Sequence, residues 1–242
     1  MDKTLALPLV AMGNVPQIAI QLAVDFRKDQ LAKTTIYSTY QYPFVGPDLS
    51  VGEASNRVIG KRKDLARPLH LYRGHGGTSE PRVDYLQLHS PIIPGCESLF
   101  IKELVKLIEH EQYTKIIVFD AKDRGLWHGE NATLVEERVL HWGNQTLSGL
   151  HLDDDDDDDH DVADTRRGKG GDSEELPSVN DTNPFVRFLV NMLPETEIDY
   201  YAVSVYDGWN MDAAYALLDA ARLPVERVAE RDAFEPTPGV YV

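Results

Sequence analysis

The sequence is poor in the features that mark secreted, membrane-spanning or catalytic chains. Its 242 residues hold one cysteine, Cys96. No disulfide can close within the chain, and such sparse cysteine usage fits a reducing compartment. Cys96 reads as a small packed residue or a loop thiol, because nothing nearby in sequence marks it as a nucleophile. No apolar run approaches the roughly 20 residues that span a bilayer. The chain contains no G-x-S-x-G, no H-E-x-x-H and no paired C-x-x-C, the spacings that would place a nucleophile or a metal. Basic residues are also scarce: 24 Lys and Arg stand against 40 Asp and Glu, a net charge of −16. That balance argues against a duplex nucleic-acid surface, which neutralises phosphates with a basic face.

The acidity is unevenly spread. Residues 151–183 carry 13 acidic and 3 basic side chains, so ten of the sixteen excess negative charges lie in that segment. Seven consecutive aspartates (153–159) repel one another and offer no apolar area to offset the entropy of ordering, which predicts a disordered insertion. A calcium loop needs spaced ligands and a turn glycine, and a homopolymer has neither. The rest of the chain is mildly acidic, and its 42% hydrophobic content suits a globular core.

Periodicity predicts one α/β domain over 1–222, with a mainly parallel central sheet flanked by helices and interrupted by the 151–183 insertion. "TLALPLV" (4–10) is an apolar run suited to a strand buried on both faces. The N-terminal "LALPLVAMGNV" superficially resembles a signal h-region, but Asp2 offsets Lys3 and Pro8 interrupts the run, so it reads as strand then helix. A helix is expected over 15–29 and a strand over 34–38, which makes 4–38 a βαβ candidate. Strands 68–73 and 83–90 alternate and read as an antiparallel pair. A helix follows over 98–112, with Leu99, Ile101, Leu104, Val105 and Ile108 on its apolar face. A strand is expected at 115–121 and weaker helical character at 131–142. Beyond the insertion come a helix (185–193), a strand (198–206) and a helix (211–222). Residues 223–242 contain Pro224, Pro236 and Pro238 without periodicity and read as an extended tail.

Three loops invite chemistry. The Gly13-Asn14 turn lies between a strand end and a helix start, where open α/β sheets bind phosphates. It has one glycine where a dinucleotide fingerprint has several, so a tight turn with Asn14 capping the helix is the plainer reading. The loop "DAKDRGLWHGE" gathers Asp120, Asp123, His128 and Glu130 but lacks a second ligand cluster. His75 sits in "RGHGGTSE", a hairpin tip. No catalytic, cofactor or metal residue is assigned.

The stretch "LPLVAMGNVPQIAIQL" (7–22) resembles the opening of the proteasome assembly chaperone 2 family, in which a strand leads into Gly-Asn-Val-x-Gln and then a helix. "YPFVG" (42–46) is similar to the family's next recognisable segment, and the element order agrees through "KIIVF". Gln21 departs from an acidic residue common in the family, and the Asp-rich insertion with "SVNDTNPF" replaces a glycine-rich approach to the later helix. The last three residues, Val240, Tyr241 and Val242, match the hydrophobic-Tyr-any motif that docks between proteasome α subunits.

The resemblance implies a non-enzymatic chaperone that uses no cofactor. It would pair with a chaperone 1-like subunit, bind the α ring of the 20S core through Val240, Tyr241 and Val242, promote core assembly and keep activators from binding early. Helix 15–29 is a candidate surface for the partner. The cytoplasm is the expected compartment, with the nucleus as a second. The alternatives are a nucleoside- or phosphate-binding enzyme built on the Gly13-Asn14 turn, and an acidic chaperone for basic proteins acting through the aspartate run.

Overall fold

Leu5 and Leu7 bury one side of the first strand while Ala6 buries the other, and this two-sided burial sets the architecture. The fold is known from a computed structural model, which describes residues 2–43, 46–47, 65–74, 82–125, 139–143, 183–206, 208 and 210–227. The elements in order are β1 (Lys3–Pro8), α1 (Val15–Phe26), β2 (Leu31–Ile36), the short pair β3 (Gly46–Pro47) and β4 (Leu65–Ala66), β5 (Leu69–Gly74), β6 (Arg82–Leu88), α2 (Glu97–Glu111), β7 (Lys115–Asp123), β8 (Val139–Trp142), α3 (Pro184–Met192), β9 (Glu197–Val205) and α4 (Met211–Ala220).

Among the described residues, seven strands form one mixed sheet in the order β2-β5-β6-β1-β7-β9-β8. The four central strands, β6-β1-β7-β9, are parallel, whereas β5, β2 and β8 join by antiparallel pairing. One face carries Leu5, Leu7, Ile116, Val118 and Tyr200 under α2 and α3. The other carries Ala6, Ile117, Phe119, Tyr201 and Val203 under α1 and α4. Central strands covered on both faces read as unbroken apolar runs, so β1 and β7 were visible in the sequence. The α/β architecture with a central parallel sheet is therefore as expected. The aspartate-rich insertion and the distal tail lie outside the described residues.

Several elements differ from expectation. β2 spans 31–36, and α1 stops at Phe26 before a 3₁₀ turn over Lys28–Gln30. β1 and β2 run in the same sense but are separated by β5 and β6, so 4–38 is a crossover without adjacent strands. Residues 139–142, expected to be helical, form edge strand β8 instead. Trp142 is fully buried on one side, and His141 on the other stacks on Tyr201 at 4.4 Å and meets Asp199 at 3.0 Å. Burial opposes ionisation of Asp199, but Lys115 and His141 outweigh it and hold the carboxyl below its ordinary range. On α2, Phe100 faces the core and Leu99 is 41% exposed, a change from the expected apolar face.

At the amino ends of the parallel strands, Lys3 and Arg73 both bond the Glu111 carboxylate at 2.7 Å. These two cations depress its pKa to about 2, with the Arg73 bond the larger cause. A carboxyl with a depressed folded pKa adds stability above its unfolded value, near pH 4.5, and loses it as pH falls toward 2. Glu111→Gln should therefore lower the melting temperature at pH 7, and the gap to the parent should close between about pH 4.5 and 2. Melting curves across that range check it; a gap independent of pH would contradict it.

Candidate functional site

The carboxyl ends of β6, β1, β7 and β9 collect the loops that lead into helices, the usual ligand edge of an open parallel sheet. β1 ends at Pro8, but Leu9 still donates its N–H to the Phe119 carbonyl at 2.8 Å. Gly13 (φ 61°) and Asn14 (φ 53°) then adopt successive left-handed conformations that swing the chain into α1. Asn14 is not the expected side-chain cap, for it makes no capping bond to α1.

The glycine has a steric reason as well as a conformational one. A Cβ on Gly13 would lie 2.6 Å from Asn210 Nδ2. Asn210 immediately precedes α4, and its Nδ2 donates to the carbonyls of Tyr206 (2.9 Å) and Gly208 (3.0 Å). The β1–α1 and β9–α4 connections are thus interlocked, and the space a phosphate would take beside Gly13 is occupied by an asparagine. Gly13→Ala should cost about 1–2 kcal/mol for the left-handed backbone, with displacement of Asn210 in addition. Urea denaturation reads it directly; an unchanged midpoint would show that the turn yields freely.

On the opposite face, an apolar cavity of about 250 Å³ opens beside the ends of β1 and β6. Leu9, Leu86, Leu88, Phe100 and Phe185 line it, and Asn183 is a polar residue of its wall. Asn183 caps α3, its Oδ1 accepting the Phe185 N–H at 3.0 Å while its Nδ2 donates to Asp120 Oδ2 at 3.2 Å. Asp120 is buried and also accepts the Tyr200 hydroxyl at 2.6 Å and its neighbour's N–H, from Ala121, at 2.8 Å. Its bonds tie β7, β9 and α3 together.

The remaining candidates are placed as follows. Asp123 does not join Asp120; its Oδ1 accepts the Gly125 N–H at 2.8 Å. His128, Glu130 and His75 lie outside the described residues. Cys96 is half-buried at the entrance to α2. Among the described residues, no group of three or more His, Cys, Asp or Glu could hold a metal ion. Val240, Tyr241 and Val242 also lie outside them. The chain toward that tail leaves α4 through a left-handed Arg222 (φ 55°), buried Leu223, and Arg227, which pairs with Asp219 at 2.7 Å. Sequence reasoning missed Asn183, Tyr200 and Asn210, because only tertiary contact reveals their partners.

No protein-family model matches the sequence, and no curated protein matches it significantly. Solved structures do match in shape. PbaB from Pyrococcus furiosus, an archaeal proteasome activator, superposes with a TM-score of 0.56 at 14% identity, covering 94% of this chain and 86% of that one. A proteasome-assembly chaperone homologue from Mycobacterium tuberculosis gives 0.54 at 11% identity, covering 90% and 84%. This chain has the proteasome-assembly-chaperone fold. A PAC2 family protein from Streptomyces avermitilis, at 0.53 and 13% identity over 93% and 88%, shares it. Such low identities carry the fold across and leave the residues of any site to be argued from this chain.

Proposed function

We propose that the chain is a proteasome assembly chaperone without enzymatic activity. It pairs with a chaperone 1-like subunit, binds the outer face of the α ring of the 20S core, promotes core assembly and delays activator binding. Val240, Tyr241 and Val242 anchor it: the apolar residue fills a groove, the tyrosine packs with its hydroxyl bonded, and the carboxylate meets a cation or backbone donors. The cytoplasm, with the nucleus as a second compartment, is where it would act.

The observation that carries this reading is one chain in which the proteasome-assembly-chaperone fold and a hydrophobic-Tyr-any ending occur together. The side chains at the ligand edge of the sheet support it too, since Asn210 fills the space beside Gly13 and Asp120 is consumed by structural bonds. Co-expression of the tagged full-length chain with the chaperone 1-like subunit and proteasome α subunits tests it. Recovery of α-ring intermediates is expected; clean failure to recover α subunits removes the reading.

A further inference from the structure

β1 and β6 are parallel neighbours in the sheet, yet their connections part at the carboxyl end. β1 leads into α1 on the face of Ala6, whereas β6 leads into α2 on the face of Leu5 and Leu7. Neighbouring strands whose connections leave to opposite faces frame a crevice, and open α/β sheets take their ligands in such crevices. The apolar cavity of about 250 Å³ sits at that point, with Leu9 and Val10 from the end of β1 beside Leu88 and Pro91 from the end of β6. It is therefore placed by topology, and not merely a gap in the packing.

The walls are held by bonds of their own. Leu9 is pinned to β7 by its N–H bond to the Phe119 carbonyl at 2.8 Å. The Tyr42 N–H donates to the Pro91 carbonyl at 3.2 Å and the Ile93 N–H to the Tyr40 carbonyl at 2.8 Å, which fixes Pro91 and Ile92 at the rim. Phe100 of α2 lies near Phe185 of α3, with ring centroids 6.5 Å apart. The chemistry of the lining is as restrictive as its shape. Among the described residues no charged side chain lines the cavity, and the one polar side chain, Asn183, already serves the Phe185 N–H and the Asp120 carboxylate. A charged ligand would lose water there and gain no counter-charge.

We infer that this cavity binds a small, uncharged, mainly apolar molecule, on the scale of a fused ring pair or a branched chain of similar bulk. An apolar cavity of about 150 Å³ lined by Leu, Ile and Phe stays dry and takes benzene. A volume of about 250 Å³ suits the next size up. Small-molecule sites are concave, mostly apolar and largely preformed, and a hollow walled by β1, β6, α2 and α3 has that form. A bound molecule would touch all four elements at once and hold both helices against the sheet. The inference needs only the fold and stands apart from the proteasome reading.

The test titrates indole, an uncharged fused ring pair, into the full-length chain with leucine and isoleucine methyls labelled for NMR. Saturable binding is expected with a Kd of about 1 mM or tighter. The shifts should fall on Leu9, Leu86, Leu88 and Ile92, and spare Leu217 and Leu218 on the opposite face. Val10→Trp and Ile92→Trp each set a ring at the mouth and should weaken indole binding by about tenfold or more. Val10 is 43% exposed, so its replacement should leave the melting temperature close to the parent. Phe26→Trp, at an exposed position of α1, should keep the affinity within about twofold, as expected of a distant site. No saturable binding up to about 10 mM indole, ten times the expected Kd, overturns the inference. So do shifts spread over both faces, or unchanged affinity in both mouth variants. Saturable binding of AMP at the same methyls overturns the uncharged class. Loss of indole binding once the chain is paired with a chaperone 1-like subunit assigns the cavity to a protein partner and overturns the small-molecule reading.

Discussion

Asp84→Ala should lower folding stability by about 3 kcal/mol, toward the lower end of what breaking a buried ion pair costs. Asp84 on β6 is fully buried. Its carboxylate accepts the Gly74 N–H at 2.9 Å, Arg82 Nε at 2.9 Å, Arg82 Nη2 at 3.1 Å and the Tyr113 hydroxyl at 2.7 Å, with Lys3 Nζ at 3.7 Å. Alanine strands all of these donors. Burial first, and then the bond to Asp84, push the Tyr113 phenol well above its ordinary value, so the hydroxyl keeps its proton and needs an acceptor. The loss stays low in that range because Arg82 remains a third exposed and can recover water. Tyr113→Phe removes one donor and leaves the carboxylate served by the others, so it should cost only about 1 kcal/mol. Chemical denaturation distinguishes them; a loss below 1 kcal/mol for Asp84→Ala would show the network to be dispensable.

Tyr241→Ala should weaken α-ring binding by about 30-fold or more, the scale of a buried aromatic anchor, while leaving the melting temperature of the body unchanged. Stability should be insensitive because, among the described residues, Leu217, Leu218 and Leu223 already close the α4 side of the core. Binding should be sensitive because a tail with Pro236 and Pro238 enters a pocket with part of its ordering entropy already removed. Tyr241→Phe keeps the ring and loses the hydroxyl, so an intermediate loss, about tenfold, fits one unmade hydrogen bond. Affinity measured against isolated α-ring intermediates reads both. Equal binding by all three proteins would return Tyr241 to an ordinary terminal residue.

What could be read from the sequence follows from which forces are local. Two-sided burial wrote β1, β7 and β9 as apolar runs, and a one-sided stripe wrote α2 and α4. Edge strand β8 was read as helix because four residues with one buried tryptophan show no reliable period; its pairing to β9 is a long-range fact. The place of β2 at the edge, with two strands between it and β1, is equally non-local. At the carboxyl end, the Gly13-Asn14 turn was legible as a break, but the asparagine filling it lies almost two hundred residues further on. Asp120 looked like loop chemistry by sequence neighbourhood, and its true neighbours are Tyr200 and Asn183. The resemblance of residues 7–22 to the assembly-chaperone family agrees with the fold of the solved structures, even at 11–14% identity.

The most direct test of the account is capture of 20S core intermediates by the tagged chain co-expressed with a chaperone 1-like subunit, full length against a version lacking residues 240–242. The account predicts α subunits in the full-length capture and their loss from the shortened one, with the chaperone pair intact in both. Equal recovery of α subunits by the two proteins would contradict it.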